Sequence, residues 1–144
     1  MINKDTIRLL KECDAGIKMG ITSIDDVINY VDSDLLRSKL VGSKNEHEKL
    51  KNDLQELLDE YHDDGKKPNP FLTTMSWLKT TTKLIINESD HTIADLMTQG
   101  CNMGIKSLSK YLNEYQEADE RSKDLVKKLI KVEDKLLKDV RPFL

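Results

Sequence analysis

The chain reads as an all-α protein, an up-down four-helix bundle with one long crossover connection, and three observations predict it. Of its 144 residues 38% are apolar and 34% charged, while only 6 are Gly, 3 are Pro and 5% are aromatic. That balance suits long, solvated helices and suits sheets poorly. Apolar residues also recur at steps of three and four over four long stretches. Finally, the stretch richest in helix breakers lies near the middle, so two long helices precede it and two follow. A chain of this length buries one core but not two, so 1–144 is expected to form a single domain.

The first helix, from about residue 3 to 31, carries Ile7, Leu10, Ile17, Ile21, Ile24, Ile28 and Val31 on one stripe, with Asp14 completing the series. It breaks at Asp32-Ser33-Asp34, where Ser33 or Asp32 can cap the next helix and the acids suit its positive end. The second helix places Leu36, Leu40, Ser43, His47, Leu50, Leu54, Leu57 and Tyr61 on its stripe and closes in His62-Asp63-Asp64-Gly65. A connection this short makes the two antiparallel neighbours, hairpin one, 3–62. Residues 63–88 are expected to hold a linker and a short crossover helix, which starts at Asn69-Pro70 and carries Phe71, Met75, Leu78, Leu84, Ile85 and Ile86. Hairpin two, 89–144, begins with Ser89 as cap. Its first stripe is Ile93, Met97, Cys101, Ile105, Leu108, Leu112 and Tyr115; a charged turn near Gln116-Glu117 leads to Leu125, Leu129, Val132, Leu136, Val140 and Phe143. The charge runs, such as Lys127-Lys128 and Glu114 to Glu120, read as solvated faces.

Several function classes fall away. With 23 basic and 26 acidic residues the net charge is −3, and there is no basic excess to meet a phosphate backbone, so no nucleic acid is expected as partner. Cys13 and Cys101 have neither CxxC spacing nor the density of a secreted disulfide scaffold, which points to a cytoplasmic home. Mixed charges at the N-terminus leave no room for a leader's apolar stretch, and no later run is long enough to span a membrane. No phosphate-binding Gly-rich loop, GxSxG elbow or HExxH is present.

The chain also matches itself. At an offset of 84, Gly16, Met19, Gly20, Ile21 and Ser23 fall on Gly100, Met103, Gly104, Ile105 and Ser107. Asn29 falls on Asn113, and Arg37-Ser38-Lys39 on Arg121-Ser122-Lys123, which makes nine identities in 24 positions. This reads as a duplicated helical hairpin. Each Gly inside a helix costs about 1 kcal/mol relative to Ala. The expected compensation is close antiparallel packing of the first and third helices at Gly16, Gly20, Gly100 and Gly104; a groove for a ligand or partner helix is the functional alternative.

A duplicated hairpin joined by a crossover resembles the ferritin-like superfamily. The local sequence resembles a small bacterial branch of it with degenerate di-iron ligand positions, in Met75-Ser76-Trp77-Leu78-Lys79, Asp95-Leu96-Met97-Thr98-Gln99-Gly100 and Lys106-Ser107-Leu108-Ser109-Lys110-Tyr111-Leu112. The resemblance implies, for metal-binding members, an acid from the first helix of each half and a Glu-x-x-His from the second. Ile17 and Cys101 stand where such relatives carry a glutamate after the repeated glycine. Lys44 stands three before His47, and Val132-Glu133-Asp134 has no histidine.

His47 shares its stripe with Leu40, Ser43, Leu50 and Leu54, and a buried imidazole needs partners. Counting back from the turn puts Asp14 about one helical turn away on the facing helix, so an Asp14–His47 hydrogen bond is expected. The metal alternative is a site for iron or another divalent ion built from Asp14, His47, Glu133 and Cys101. Glu46 and Glu48, each adjacent to His47, point about 100° away from it and cannot easily share its ion. Cys101 reads as a small buried hydrophobe rather than a nucleophile. His62 and His91 read as helix-end residues, and Trp77 as side packing or, if exposed, an interface anchor. The leading expectation is a non-enzymatic structural or protein-interaction module without catalytic residue, metal or cofactor, self-associating as a homo-oligomer or binding a protein partner, with no membrane. The alternatives are a metal-binding or redox protein using His47 with nearby carboxylates, and a small-molecule binder with a cavity lined by Met19, Met97 and Met103.

Overall fold

The computed structural model describes residues 3–61 and 89–144, which form four packed helices with no strand among them. They are α1 (Lys4–Val27), α2 (Asp34–Glu60), α3 (Ser89–Glu114) and α4 (Glu120–Val140), with 3-10 turns at Ile28–Tyr30 and Arg141–Phe143. The linker, the crossover helix, His62 and Trp77 lie outside the described residues.

Side-chain caps fix three of the helix starts. Asn3 accepts from the Asp5 amide at 2.7 Å, Ser33 from Leu36 at 3.2 Å and Asp119 from Ser122 at 2.8 Å, each occupying an amide that the helix leaves free. The third long helix includes Ser89 itself rather than beginning after it. The first helix is shorter than its periodicity predicts, because a 3-10 turn takes over at Ile28 and Val31 is extended.

Long-range polar contacts set the topology. The Asp90 carboxylate near the start of α3 accepts from the Asp32 and Ser33 amides, at 2.8 and 2.9 Å, so α3 starts beside the α1–α2 turn. At the other end the Tyr61 hydroxyl donates to Asp119 at 2.5 Å, and the Asp119 amide donates to the Thr6 hydroxyl at 2.8 Å. The chain therefore leaves α2 at one end and enters α3 at the other. Each hairpin is antiparallel, while α2 runs parallel to α3 and α1 to α4. The 27 residues of α2 make it about 40 Å long.

The core is two apolar clusters stacked along the axis. One gathers Leu10, Ile17, Leu54, Leu58, Val126 and Leu129, the other Ile24, Leu36, Leu40, Ile93, Leu136 and Val140. On α2 the expected stripe is buried from Leu36 to Leu57. On α1 it is broader than expected, since Thr6, Leu9, Cys13 and Val27 are buried while Ile7 and Ile21 are only half-buried. The reason is that α1 packs against all three other helices, and a two-sided seam is too narrow to describe it.

Candidate functional site

Between the clusters, each hairpin buries one polar side chain on a glycine. His47 on α2 lies on Gly20 of α1, where a Cβ would come within 2.5 Å of its Nε2. Glu133 on α4 lies on Gly104 of α3, where a Cβ would collide with its carboxylate. The two residues hold matching places, fourteen beyond the caps Ser33 and Asp119. They face one another across the α2–α4 seam, His47 Nε2 lying 3.7 Å from Glu133 Oε1, with side chains 1% and 10% exposed.

This corrects the role expected for the glycines. Gly20 and Gly104 do not mainly bring α1 against α3; each makes room for a polar residue of the following helix. A Cβ built on Gly16 would make only ordinary contacts, 3.5 Å to Leu129 and 3.8 Å to Leu108, and no described side chain lies within 4 Å of one built on Gly100. The register of the repeat also changes along its length. The second hairpin has two more residues between glycine and cap, so Ser38 is exposed while Ser122 is fully buried, and the Arg-Ser-Lys match does not join equivalent places.

The expected Asp14–His47 bond is not formed. The ring's Nδ1 lies 2.8 Å from the Ser43 carbonyl, its Nε2 has no hydrogen-bond partner, and the buried Asp14 carboxylate is 2.7 Å from Lys18 Nζ. A carbonyl only accepts, so Nδ1 carries the proton and donates it. His47 spends its bond on the preceding turn of its own helix, and Asp14 meets a lysine one turn further along α1. Of the suggested metal set, His47 and Glu133 come together and Asp14 does not. Among the described residues no three His, Cys, Asp or Glu side chains converge.

The places that follow Gly16 and Gly100 hold Ile17, fully buried, and Cys101, 5% exposed. Burial, and then the charges of Glu133 and Asp134, push the Cys101 thiol up to about 12. Burial and Asp14 do the same to Cys13, also to about 12. At positions 17 and 101 an isoleucine and a protonated thiol are poor ligands for a dinuclear iron centre, which is built from carboxylates and histidines. The methionine-lined cavity is not formed either. Met97 is buried in the core, whereas Met103 is 64% exposed. Beside the pair runs an open groove of about 190 Å³ between α2 and α4, lined by Gly42, Ser43, Glu46, Val132 and Lys135. The Glu46–Lys135 ion pair, at 3.2 Å, links its two walls.

The sequence reading missed a second polar cluster, Tyr61–Asp119–Thr6, which pins the far end. Burial raises Asp119, but hydrogen bonds from Ser122 and Tyr61 outweigh it and hold the carboxyl below its usual range. Burial, then the bond to Asp119, pushes Tyr61 up to about 12. Asp119 caps its own helix through a local bond from Ser122, whereas its Tyr61 partner, 58 residues away, left no local signal.

No protein-family model matches this chain, and no curated protein or solved structure is significantly similar to it. Among the described residues no helix is long and apolar enough to cross a membrane.

Proposed function

We propose that the protein is a non-enzymatic, cytoplasmic ferritin-like bundle built from a duplicated hairpin, a structural or protein-interaction module that acts through its outer faces and self-associates. One observation carries this reading: the inward places that a ferritin-like centre would use hold Ile17 and the protonated thiol of Cys101. The buried polar residues nearby are packed on glycines, and the groove beside them is open. The parallel course of α2 and α3 supports the ferritin-like part. The glycines Gly20 and Gly104, each beneath a polar residue fourteen places beyond a cap, support duplication. Both cysteines are free thiols, as a reducing compartment requires.

The test is light scattering of the purified full chain, alongside elemental analysis after exposure to iron, manganese and zinc. A defined oligomer without stoichiometric metal is expected. A stoichiometric metal that is lost in His47→Ala would overturn the reading in favour of a metal protein, and a strict monomer at all concentrations would remove self-association from it.

A further inference from the structure

The buried pair of His47 and Glu133 presents two acceptors to each other. With its Nδ1 proton donated to the Ser43 carbonyl, a neutral imidazole offers only a lone pair at Nε2. An ionised Glu133 likewise offers only lone pairs, and the two atoms are 3.7 Å apart, away from bulk water. The ring is held at Nδ1 by the Ser43 carbonyl, whereas the carboxylate over Gly104 ends a flexible chain and can still rotate. A bare lone pair facing a buried carboxylate is repulsive, and each group would lose its hydration without replacement. A single proton between them converts the repulsion into a charge-assisted hydrogen bond once a small side-chain rotation closes the gap to about 2.8 Å.

We propose that His47 and Glu133 share one proton, and that this proton latches the two hairpins together at the α2–α4 seam. The latch joins one hairpin to the other, since His47 belongs to the first and Glu133 to the second. The groove past Ser43, Glu46 and Val132 runs along the same seam. The other ionisable groups around the pair are accounted for. On α1 the buried acid is Asp14, held by Lys18; on α3 it is the thiol of Cys101; on α4 Asp134 has Lys138 at 2.8 Å; and on α2 Glu46 is engaged by Lys135. Without that proton a buried carboxylate would face a bare nitrogen, and neither group could make up the loss with water.

The experiment is denaturant unfolding of the full chain, with His47→Gln, Glu133→Gln and the double variant beside the wild type. The double variant is expected to lose less stability than the two single variants together, because the two side chains act as one unit. Additive losses would overturn the latch. Should either variant fail to fold, nitrogen-15 spectra of the wild-type His47 ring, with the Glu133 carboxyl carbon, decide the matter. One proton held by the pair is expected, with spectra indifferent to a chelator. A lone pair at Nε2 beside an ionised carboxylate, or spectra altered by chelation, would show that no proton bridges the pair.

Discussion

In the first hairpin Gly20 clears a floor for His47, and in the second Gly104 clears the same floor for Glu133. The two arrangements share their plan, a glycine on one helix beneath a polar residue fourteen places past the cap of the next, and differ in charge type. Two identical copies would set histidine against histidine or carboxylate against carboxylate at mid-height, and like groups buried together repel. The difference between the hairpins is therefore what lets them meet, and it turns two similar halves into a pair that fits in one way. The buried pair itself is weak evidence for net stability, since desolvation offsets most of its attraction. Its value lies in matching α2 to α4.

The strongest way to break the comparison is to leave one member alone. His47→Leu strands a buried carboxylate, and Glu133→Leu strands the ring, each costing about 3 kcal/mol or more. The double replacement removes both polar groups and should recover most of that loss. Chemical denaturation of the three variants measures the coupling; additive losses would show that the two side chains do not act together.

The floors themselves come next. Gly20→Ala gains about 1 kcal/mol of helix propensity. It also drives a methyl into a ring held at Nδ1 by the Ser43 carbonyl, so a net loss of about 2 kcal/mol is expected. Gly104→Ala should cost less, since Glu133 meets it with the end of a flexible chain. Unfolding midpoints that rank Gly104→Ala as the worse of the two would mean that the carboxylate, not the ring, is the fixed partner.

The caps that start α2 and α4 occupy the same place in their hairpins and carry different loads. Ser33 accepts from one amide, while Asp119 also receives Tyr61 and anchors α1 through Thr6. Ser33→Ala should cost about 1 kcal/mol and Asp119→Ala nearer 2 kcal/mol. Because its hydrogen bonds hold Asp119 below the ordinary carboxyl range, its contribution is complete above that range and is lost as pH falls through the lowered value. Asp119→Asn should flatten that acid limb. Tyr61, pushed up to about 12, acts at the other extreme, its contribution falling as pH rises from about 10 toward 12. Both limbs can be read from unfolding midpoints against pH.

How much of this the sequence disclosed depended on how local the cause was. The α2 stripe from Leu36 to Leu57 was legible, Ser43 and His47 included, because periodicity alone decides which face of a helix is buried when the apolar residues are evenly spaced. Ser33 was legible as one of two capping candidates, through its side-chain chemistry. The burial of Leu9, Cys13 and Val27 on α1 was not, because it follows from three-sided packing that no single-helix pattern contains. Of the site, Glu133 was visible as an acid near an apolar stripe and the glycines as an expense needing a reason. Their pairing was hidden by the two extra residues that shift the register in the second hairpin. Asp14 did not become His47's partner: it meets Lys18 four residues along its own helix while the ring bonds the Ser43 carbonyl, two local partners that counting turns across helices does not weigh.

The smallest effect sharpens the comparison at its far corner. Gly16 and Gly100 correspond in the repeat, yet a Cβ at Gly16 would rest against Leu129 and Leu108, whereas at Gly100 it would meet no described side chain within 4 Å. Gly100→Ala should therefore keep its whole propensity gain and stabilise the protein by about 0.5–1 kcal/mol. Gly16→Ala should gain less, because its methyl must fit beside two leucines that already fill the core. Thermal unfolding of the two variants tests this directly. If Gly100→Ala lost stability instead, that glycine would be serving a close approach like those at Gly20 and Gly104, and all the repeated glycines past Gly16 would share one structural cause.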